Sequence, residues 1–384
     1  LRFKRGVAVA AIALTSVLSV VGCAKDSGSS NSGSGGGDNA TGCKTVDKPA
    51  AASGETTTTD AGAKVDGSAL KVGLAFDIGG RGDASFNDSA AAGLDKAVSD
   101  IGVKKENTKE LTATDQESED AKLTRLRQLA QEGHNPIVSV GFAYSDATAK
   151  IAAEFPNTQF AVVDGFVDNA PANVTFLGFA EQEGSFLVGV IAALKSESCT
   201  IGFVGGVNVP LIQKFQAGFQ QGVETVAPDA KVVSKYITEA GDLTGFADAP
   251  KGQVAAKGLI DQGADVVYHA AGASGKGVFA AAKEANVQAI GVDSDQYNQK
   301  TVAEYKDVII TSMLKRVDVA VFDYIAAVAS NNLTGLPPVF DLKVDGVGYS
   351  TSGGKIDDET KGWVEAYKQQ IIEGKIKVSD TPSS

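Results

Sequence analysis

Asp77, Asp164 and Asp293 each close a short apolar run, in VGLAFD, FAVVD and AIGVD. A carboxylate so placed can accept hydrogen bonds from hydroxyls and amides, hold a hard cation, or act as an acid or base. Phe142, Gly205 and Gly272 stand at the ends of three similar runs. Asp77, Asp83 and Asp88 lie close enough together to suggest a calcium site or a hydrolytic acidic cluster as an alternative. Gly275, Gly277 and Ala280 read as GxGxxA, with Asp293 eighteen residues after the first glycine. That imitates a dinucleotide fingerprint. Several residues separate the preceding strand from its first glycine, so helix-start amides facing a cleft are the better reading. The RGD at Arg81–Asp83 is read as chance. No GxSxG occurs, which removes the nucleophile elbow of the α/β-hydrolases. Two His and three Cys cannot assemble a zinc site of the usual spacing, and they make a Cys nucleophile with a His base a poor candidate. No catalytic residues, metal or cofactor are expected.

These residues need elements to position them. The chain has 384 residues, enough for two domains or one large one. With 43% hydrophobic and 21% charged residues, most of it can bury a core. A net charge of −12 argues against a nucleic-acid polymer as partner, because such binding rests on Lys and Arg neutralising phosphates. From Leu70 the pattern alternates. Strands are expected at 70–76, 136–142, 159–165 and 173–179, and helices at 89–100, 117–133 and 184–196. The alternation then restarts, with strands at 199–206, 230–237, 264–272 and 287–293. Helices are expected at 211–226, 251–263, 275–286 and 317–329. Two successive βα arrays imply an α/β protein of two doubly wound parallel-sheet lobes. Ligands of such sheets sit beyond the carboxyl ends of the strands, which is where the residues above fall. Two lobes facing each other across those edges form a cleft for a small molecule.

The N-terminal region reads differently. Arg2, Lys4 and Arg5 precede an apolar run from Val7 to Val21, short for a bilayer span but right for a signal-peptide core. The run ends in Val20-Val21-Gly22-Cys23. A small residue before Cys at that place marks residues 1–22 as a lipoprotein signal peptide and Cys23 as the lipidated residue; an ordinary cleavage site beside a chance Cys is the alternative. Acyl chains on Cys23 would tether the protein to the extracytoplasmic face of the cell membrane. Residues 23–66, rich in Gly, Ser and Thr, are too poor in large apolar residues to fold and read as a stalk. Cys43 in that stretch and Cys199 in the folded part could pair outside the cytoplasm, or could be unrelated thiols.

The motifs VGLAFDIGGRGDASFNDSAAAGL, IGFVGGVNVPLIQKFQAGF, DVVYHAAGASGKGVF, IGVDSDQ and TSMLKRVD together resemble the basic membrane protein (Bmp) family of ABC-transporter solute-binding lipoproteins, a group that includes a purine nucleoside receptor. The resemblance covers about residues 70–376. It implies a type I periplasmic-binding-protein-like fold with a hinge. The expected N-terminal lobe is 67–180 with 312–350, the C-terminal lobe is 181–311, and 351–384 forms a C-terminal helix and tail. It further implies a monomer that captures a nucleoside and delivers it to a membrane ABC permease. By this resemblance Phe86, nine residues after Asp77, stacks on the base, with Asp77 at the base or its edge. Phe246 closes the sandwich from the other lobe. Asp293 and Lys315 hold the ribose, and Asn87, Asp164 and Gly272 are further contacts. Ile78 stands where some nucleoside-binding members carry a polar residue, which leaves base preference open. A ligand-sensing lipoprotein of the same fold and an extracellular nucleoside hydrolase are the alternatives.

Overall fold

The computed structural model describes residues 42–50, 65–115 and 117–383. The expected signal peptide, Cys23 and most of the stalk lie outside these residues.

Among the described residues, eleven strands form two sheets. The first sheet contains β1 (Val72–Phe76), β2 (Thr108–Thr112), β3 (Ile137–Val140), β4 (Phe160–Val163) and β5 (Val174–Leu177), in the order β2-β1-β3-β4-β5, all parallel. Helices α1 (Phe86–Asp100), α2 (Glu119–Gln131) and α3 (Ser145–Glu154) connect its strands. After α4 (Glu181–Lys195) the arrangement repeats. The second sheet contains β6 (Thr200–Asn208), β7 (Lys231–Glu239), β8 (Val266–Ala270), β9 (Gln288–Asp293), β10 (Ile309–Lys315) and β11 (Val347–Tyr349), in the order β11-β10-β9-β8-β6-β7. Helices α5 (Pro210–Val226), α6 (Ala249–Ile260) and α7 (Gly275–Ala285) connect β6 to β9. Only β11 runs antiparallel, against β10. Setting β11 aside, each sheet has the same order relative to its own first strand. Strand order therefore reverses between β1 and β3 in one lobe and between β6 and β8 in the other, the places where open α/β sheets bind ligands.

Burial on both faces explains the uninterrupted apolar strands. Every residue of β1, β3, β4 and β8 is buried. Strand β2, TKELT, is half exposed at the sheet edge, and its polar alternation hid it from the sequence reading.

The expected lobe boundary at residue 312 needs correction. It cuts through β10, which pairs with β9 in the second sheet, as β11 pairs with β10. Residues 312–315 and 347–349 therefore belong to the second lobe. Helix α8 (Val317–Ala329) does return to the first, where it packs on α1. Helix α9 (Asp358–Ile372) packs on α4. The chain so crosses between lobes near 178–181, 315–317 and 340–347. These crossings bond to one another: the Phe340 N–H donates to the Gly178 carbonyl, Ala180 N–H to the Phe340 carbonyl, and Arg316 N–H to the Gly346 carbonyl, at 2.9, 3.1 and 2.9 Å. They form the hinge.

Cys43 and Cys199 form a disulfide, resolving that open pairing. The neighbouring Val46 N–H donates to the Val226 carbonyl at 2.8 Å, so residues 42–50 lie along the end of the second lobe where β6 begins, away from the strand ends.

Candidate functional site

The sites expected from the sequence converge. Asp77, Phe86, Asn87, Asp164, Phe246, Gly272, Asp293 and Lys315 all line one cavity between the lobes, whose empty space including its opening to solvent is about 590 Å³, together with Ile78, Phe142 and Phe215. Each lobe contributes strand ends: Asp77 and Asp164 follow β1 and β4, Gly272 lies just past β8, and Asp293 ends β9.

The loop after β1 is organised by its own carboxylates. Asp83 accepts from the backbone N–H of Ser85, Asn87 and Asp88, at 2.9, 2.8 and 3.1 Å, and so caps α1. Asp88 accepts from Gly82 and Ala84 N–H at 2.7 and 2.9 Å. These bonds start α1 at Phe86, three residues before the sequence placed it, and the half-buried ring faces the cavity from the first helical turn. Burial pushes the Asp83 carboxyl up to about 6, against those amides. The Asp83 and Asp88 carboxylates of the alternative calcium or hydrolytic cluster are engaged by the loop's own amides, and among the described residues no group of three or more His, Cys, Asp and Glu is placed to hold a metal ion. The Asn87 amide is likewise engaged. Its Oδ1 accepts from Asp77 N–H at 3.1 Å, and its Nδ2 donates to the Ile78 carbonyl and to Asp83. Asn87 therefore shapes the loop, with one lone pair of Oδ1 to spare. Asp77 accepts from Ile78 N–H at 2.8 Å, and burial raises its carboxyl to about 6. Ile78 adds an apolar wall beside it.

The second lobe supplies the opposing aromatic. Phe246 ends a short 3₁₀ turn, Leu243–Phe246, begun by Asp242, which accepts from Thr244 N–H at 3.0 Å. Gly272 lies against it with φ of 54°, and a Cβ there would stand 3.0 Å from the Phe246 carbonyl oxygen. Only glycine enters that conformation at little cost.

Lys315 closes β10 at the hinge and is buried. Its Nζ is 2.6 Å from Asp164 Oδ2 and 3.1 Å from Glu181 Oε1. The rings of Phe86, Phe179 and Phe215 surround it, with centroids 5.3, 4.9 and 5.5 Å away. Burial works against its charge, yet Asp164, Glu181 and Asp293 hold its pKa above the ordinary value. Burial raises Asp164, with Lys315 opposing. Asp164 Oδ1 and Glu181 Oε2 are buried with no hydrogen-bond partner. Asp293 is pushed up to about 7 by burial, against the pull of Lys315 and of the Ser85 hydroxyl, which donates to its Oδ2 at 2.5 Å. Asp164 and Asp293 both have φ of 63°. Two strand-end carboxylates, one per lobe, thus flank a single ammonium.

The sequence reading missed Glu181, Phe215 and Ser85. Each acts through a residue distant in the chain; the Ser85 to Asp293 bond spans 208 positions. The available signal was Glu181, in the polar first turn ahead of the mostly apolar run 184–194.

Lys214, half-exposed, also reaches Glu181 Oε2 at 3.5 Å, and the carboxylates still outnumber the two ammonium groups, which suits a neutral ligand rich in hydroxyl and amide donors. The cavity walls offer aromatic faces and hydrogen-bond acceptors.

The family model described as Bmp, ABC transporter substrate-binding protein PnrA-like, matches residues 70–382. The chain is 36% identical over 323 residues to a CD4+ T-cell-stimulating antigen of Listeria monocytogenes, covering 81% of this chain and 88% of that one. It is 32% identical to the ABC transporter nucleoside-binding protein BmpA of Lactococcus lactis, covering 98% and 99%. A crystal structure of an ABC transporter solute-binding protein from Aeropyrum pernix superposes with a TM-score of 0.67 at 30% identity, over 82% of this chain and 94% of that one. With its two hinged α/β lobes and the cavity between them, the chain belongs to the Bmp family of PnrA-like ABC transporter substrate-binding proteins, which bind solutes for a membrane permease and are not enzymes.

Proposed function

We propose that the cleft captures a nucleoside, with a purine as its base, and that the protein presents it to an ABC permease from the extracytoplasmic face of the membrane. The observation that carries this reading is that Phe86 and Phe246, one from each lobe, line the same cavity as Asp293 and Lys315. A base has two π-faces, and stacking on an aromatic side chain contributes about 1–3 kcal/mol per base. A ribose diol offers two donors that the Asp293 carboxylate accepts, while Lys315 donates to the sugar oxygens. Asp77 then meets the edge of the base. Asp164 Oδ1 accepts a further ligand hydroxyl, which would satisfy an otherwise unpartnered buried atom.

The carboxylates favour a nucleoside over a nucleotide. Asp77, Asp83, Asp164, Glu181 and Asp293 outnumber the one buried ammonium, so a phosphate entering the cavity meets repulsion. Cys23 at the end of the apolar run is the proposed lipid anchor. The Cys43–Cys199 disulfide supports an oxidising compartment outside the cytoplasm.

The test is isothermal titration of the full chain, unfolded and refolded to release bound ligand. The titrants are inosine, guanosine, adenosine, cytidine, free bases, ribose and inosine monophosphate. Tight 1:1 binding of purine nucleosides, with ribose and the monophosphate silent, supports the reading. Silence toward every nucleoside rejects it.

A further inference from the structure

Gln296 follows β9 in the motif GVDSDQ and is buried. All its polar groups are used. Its Oε1 accepts from Val292 N–H at 2.9 Å and lies 3.1 Å from His269 Nε2. Its Nε2 donates across the lobe interface to the Ala84 carbonyl at 3.0 Å, and its backbone N–H donates to Ser312 Oγ at 3.1 Å. The Val292 amide only donates and the Ala84 carbonyl only accepts, so the side-chain amide has a single orientation. His269 supports it from behind. Burial pushes the imidazole down to about 4, so the ring is neutral and its Nε2 carries the proton for Gln296. The ring is seated on Gly275, where a Cβ would come within 2.0 Å of it. The first glycine of the GxGxxA pattern is thus there for this histidine, and Gly277 for the close approach of the Ala249 carbonyl on α6.

The partner across the interface is strained. Ala84 is buried with φ of 58°. A left-handed conformation is unfavourable for a residue with a Cβ. The next residue, Ser85, donates to Asp293 Oδ2 at 2.5 Å and accepts from Ser294 Oγ at 2.9 Å. Phe86 comes next. Three consecutive residues of the first lobe therefore meet the Gln296 amide, the Asp293 carboxylate and the cavity, in that order.

We infer that Gln296 is a positioning residue that holds the strained Ala84 peptide across the lobe interface, and so seats both Phe86 and Asp293 for the ligand while fastening the lobes together. The ligand part rests on the nucleoside reading; the fastening of the lobes does not.

The test compares Gln296→Leu with the double variant Gln296→Leu/Ala84→Gly in the full chain. Glycine adopts the left-handed conformation freely and needs no partner to hold it there. The readouts are inosine titration and the distance between spin labels at the exposed Lys150 and Lys257, one in each lobe. Loss of one hydrogen bond plus release of the strain predicts about 10–100-fold weaker inosine binding for Gln296→Leu. Its inter-lobe distances should broaden, and the double variant should recover most of the affinity. Where the leucine variant does not fold, Gln296→Asn replaces it, keeping an amide too short to reach all its partners. Unchanged affinity overturns the inference. So does a loss that Ala84→Gly fails to recover, which is what a merely structural glutamine would produce. If the unaltered protein takes no inosine, the nucleoside reading fails by itself. The ligand-free distances then decide: broadening on Gln296→Leu that Ala84→Gly reverses supports the fastening role, and identical distributions reject it.

Discussion

Lys315 Nζ lies 2.6 Å from Asp164 Oδ2, and the pair joins a strand end of the second sheet to a strand end of the first. Both side chains are buried, at 2% and 4% exposure, so the pair depends on its partners rather than on water. Removing Lys315 strands Asp164 as a buried anion and leaves Glu181 with Lys214 alone, whose Nζ is 3.5 Å from its Oε2. Breaking a buried pair from one side costs about 3–5 kcal/mol. Chemical denaturation of Lys315→Met should show a loss of that size. Adding Asp164→Asn should restore part of the stability, because one stranded charge is gone, and none of the nucleoside affinity. A double variant no more stable than Lys315→Met would mean that loss of Lys315 does not leave the Asp164 carboxylate stranded.

Asp293 predicts opposite pH dependences for stability and for binding. Its carboxyl is raised from 3.8 to about 7, so the fold disfavours the charged form. Its contribution to stability is full below about pH 4 and is lost as pH rises through about 7. Asp77 and Asp83, both raised to about 6, act in the same direction. Binding runs the other way, because the ionised carboxylate is the better acceptor for the diol. Inosine affinity should therefore rise between about pH 6 and pH 8 while ligand-free thermal stability falls. Asp293→Asn should raise the melting temperature at pH 8 and remove most of the affinity. An affinity that is flat with pH would separate Asp293 from the ligand.

The two phenyl rings should behave alike. Phe86 and Phe246 are half-buried and face the cavity from opposite lobes. Phe86→Leu and Phe246→Leu should each weaken inosine by about 1–3 kcal/mol, roughly 5–150-fold. Titration with inosine checks the size. Full affinity in Phe246→Leu would leave Phe86 stacking from one side only.

The disulfide should matter for stability and not for the site. Cys43 and Cys199 are 156 residues apart and close a loop that contains the whole first sheet. A cross-link over so long a loop typically adds about 2–4 kcal/mol. Cys43→Ser with Cys199→Ser should lower the denaturation midpoint accordingly and leave inosine affinity unchanged, since the bond lies at the opposite end of the second lobe from the cavity. A fall in affinity would reveal coupling between the N-terminal strap and the cleft.

Local pattern carried much of this protein. Short apolar runs announced β1, β3, β4, β6, β8 and β9, because strands buried on both faces need no partner to be recognised. The strand-end rule then pointed to Asp77, Asp164, Gly272 and Asp293 from topology alone. Phe86, Phe246 and Lys315 came from ordered motifs shared with a family, since neither periodicity nor charge marks them. What local pattern could not supply was pairing between distant segments. Strand β2 is too polar to stand out, and the boundary near residue 312 went astray because lobe membership of β10 depends on β9 beside it. Ser85, Glu181 and Gln296 read as an ordinary hydroxyl, a helix-start acid and a loop amide. Their partners Asp293, Lys315 and Ala84 lie in the other lobe or at the hinge, and only burial makes those contacts matter. The amino-acid sequence by itself determined the alternation, the doubled lobe and the carboxylates at the strand ends, because these follow from short-range periodicity. The tertiary structure alone decided which carboxylates flank Lys315, which are spent on the loop, and which side chains join the lobes, because each depends on desolvating groups that only the folded chain brings together.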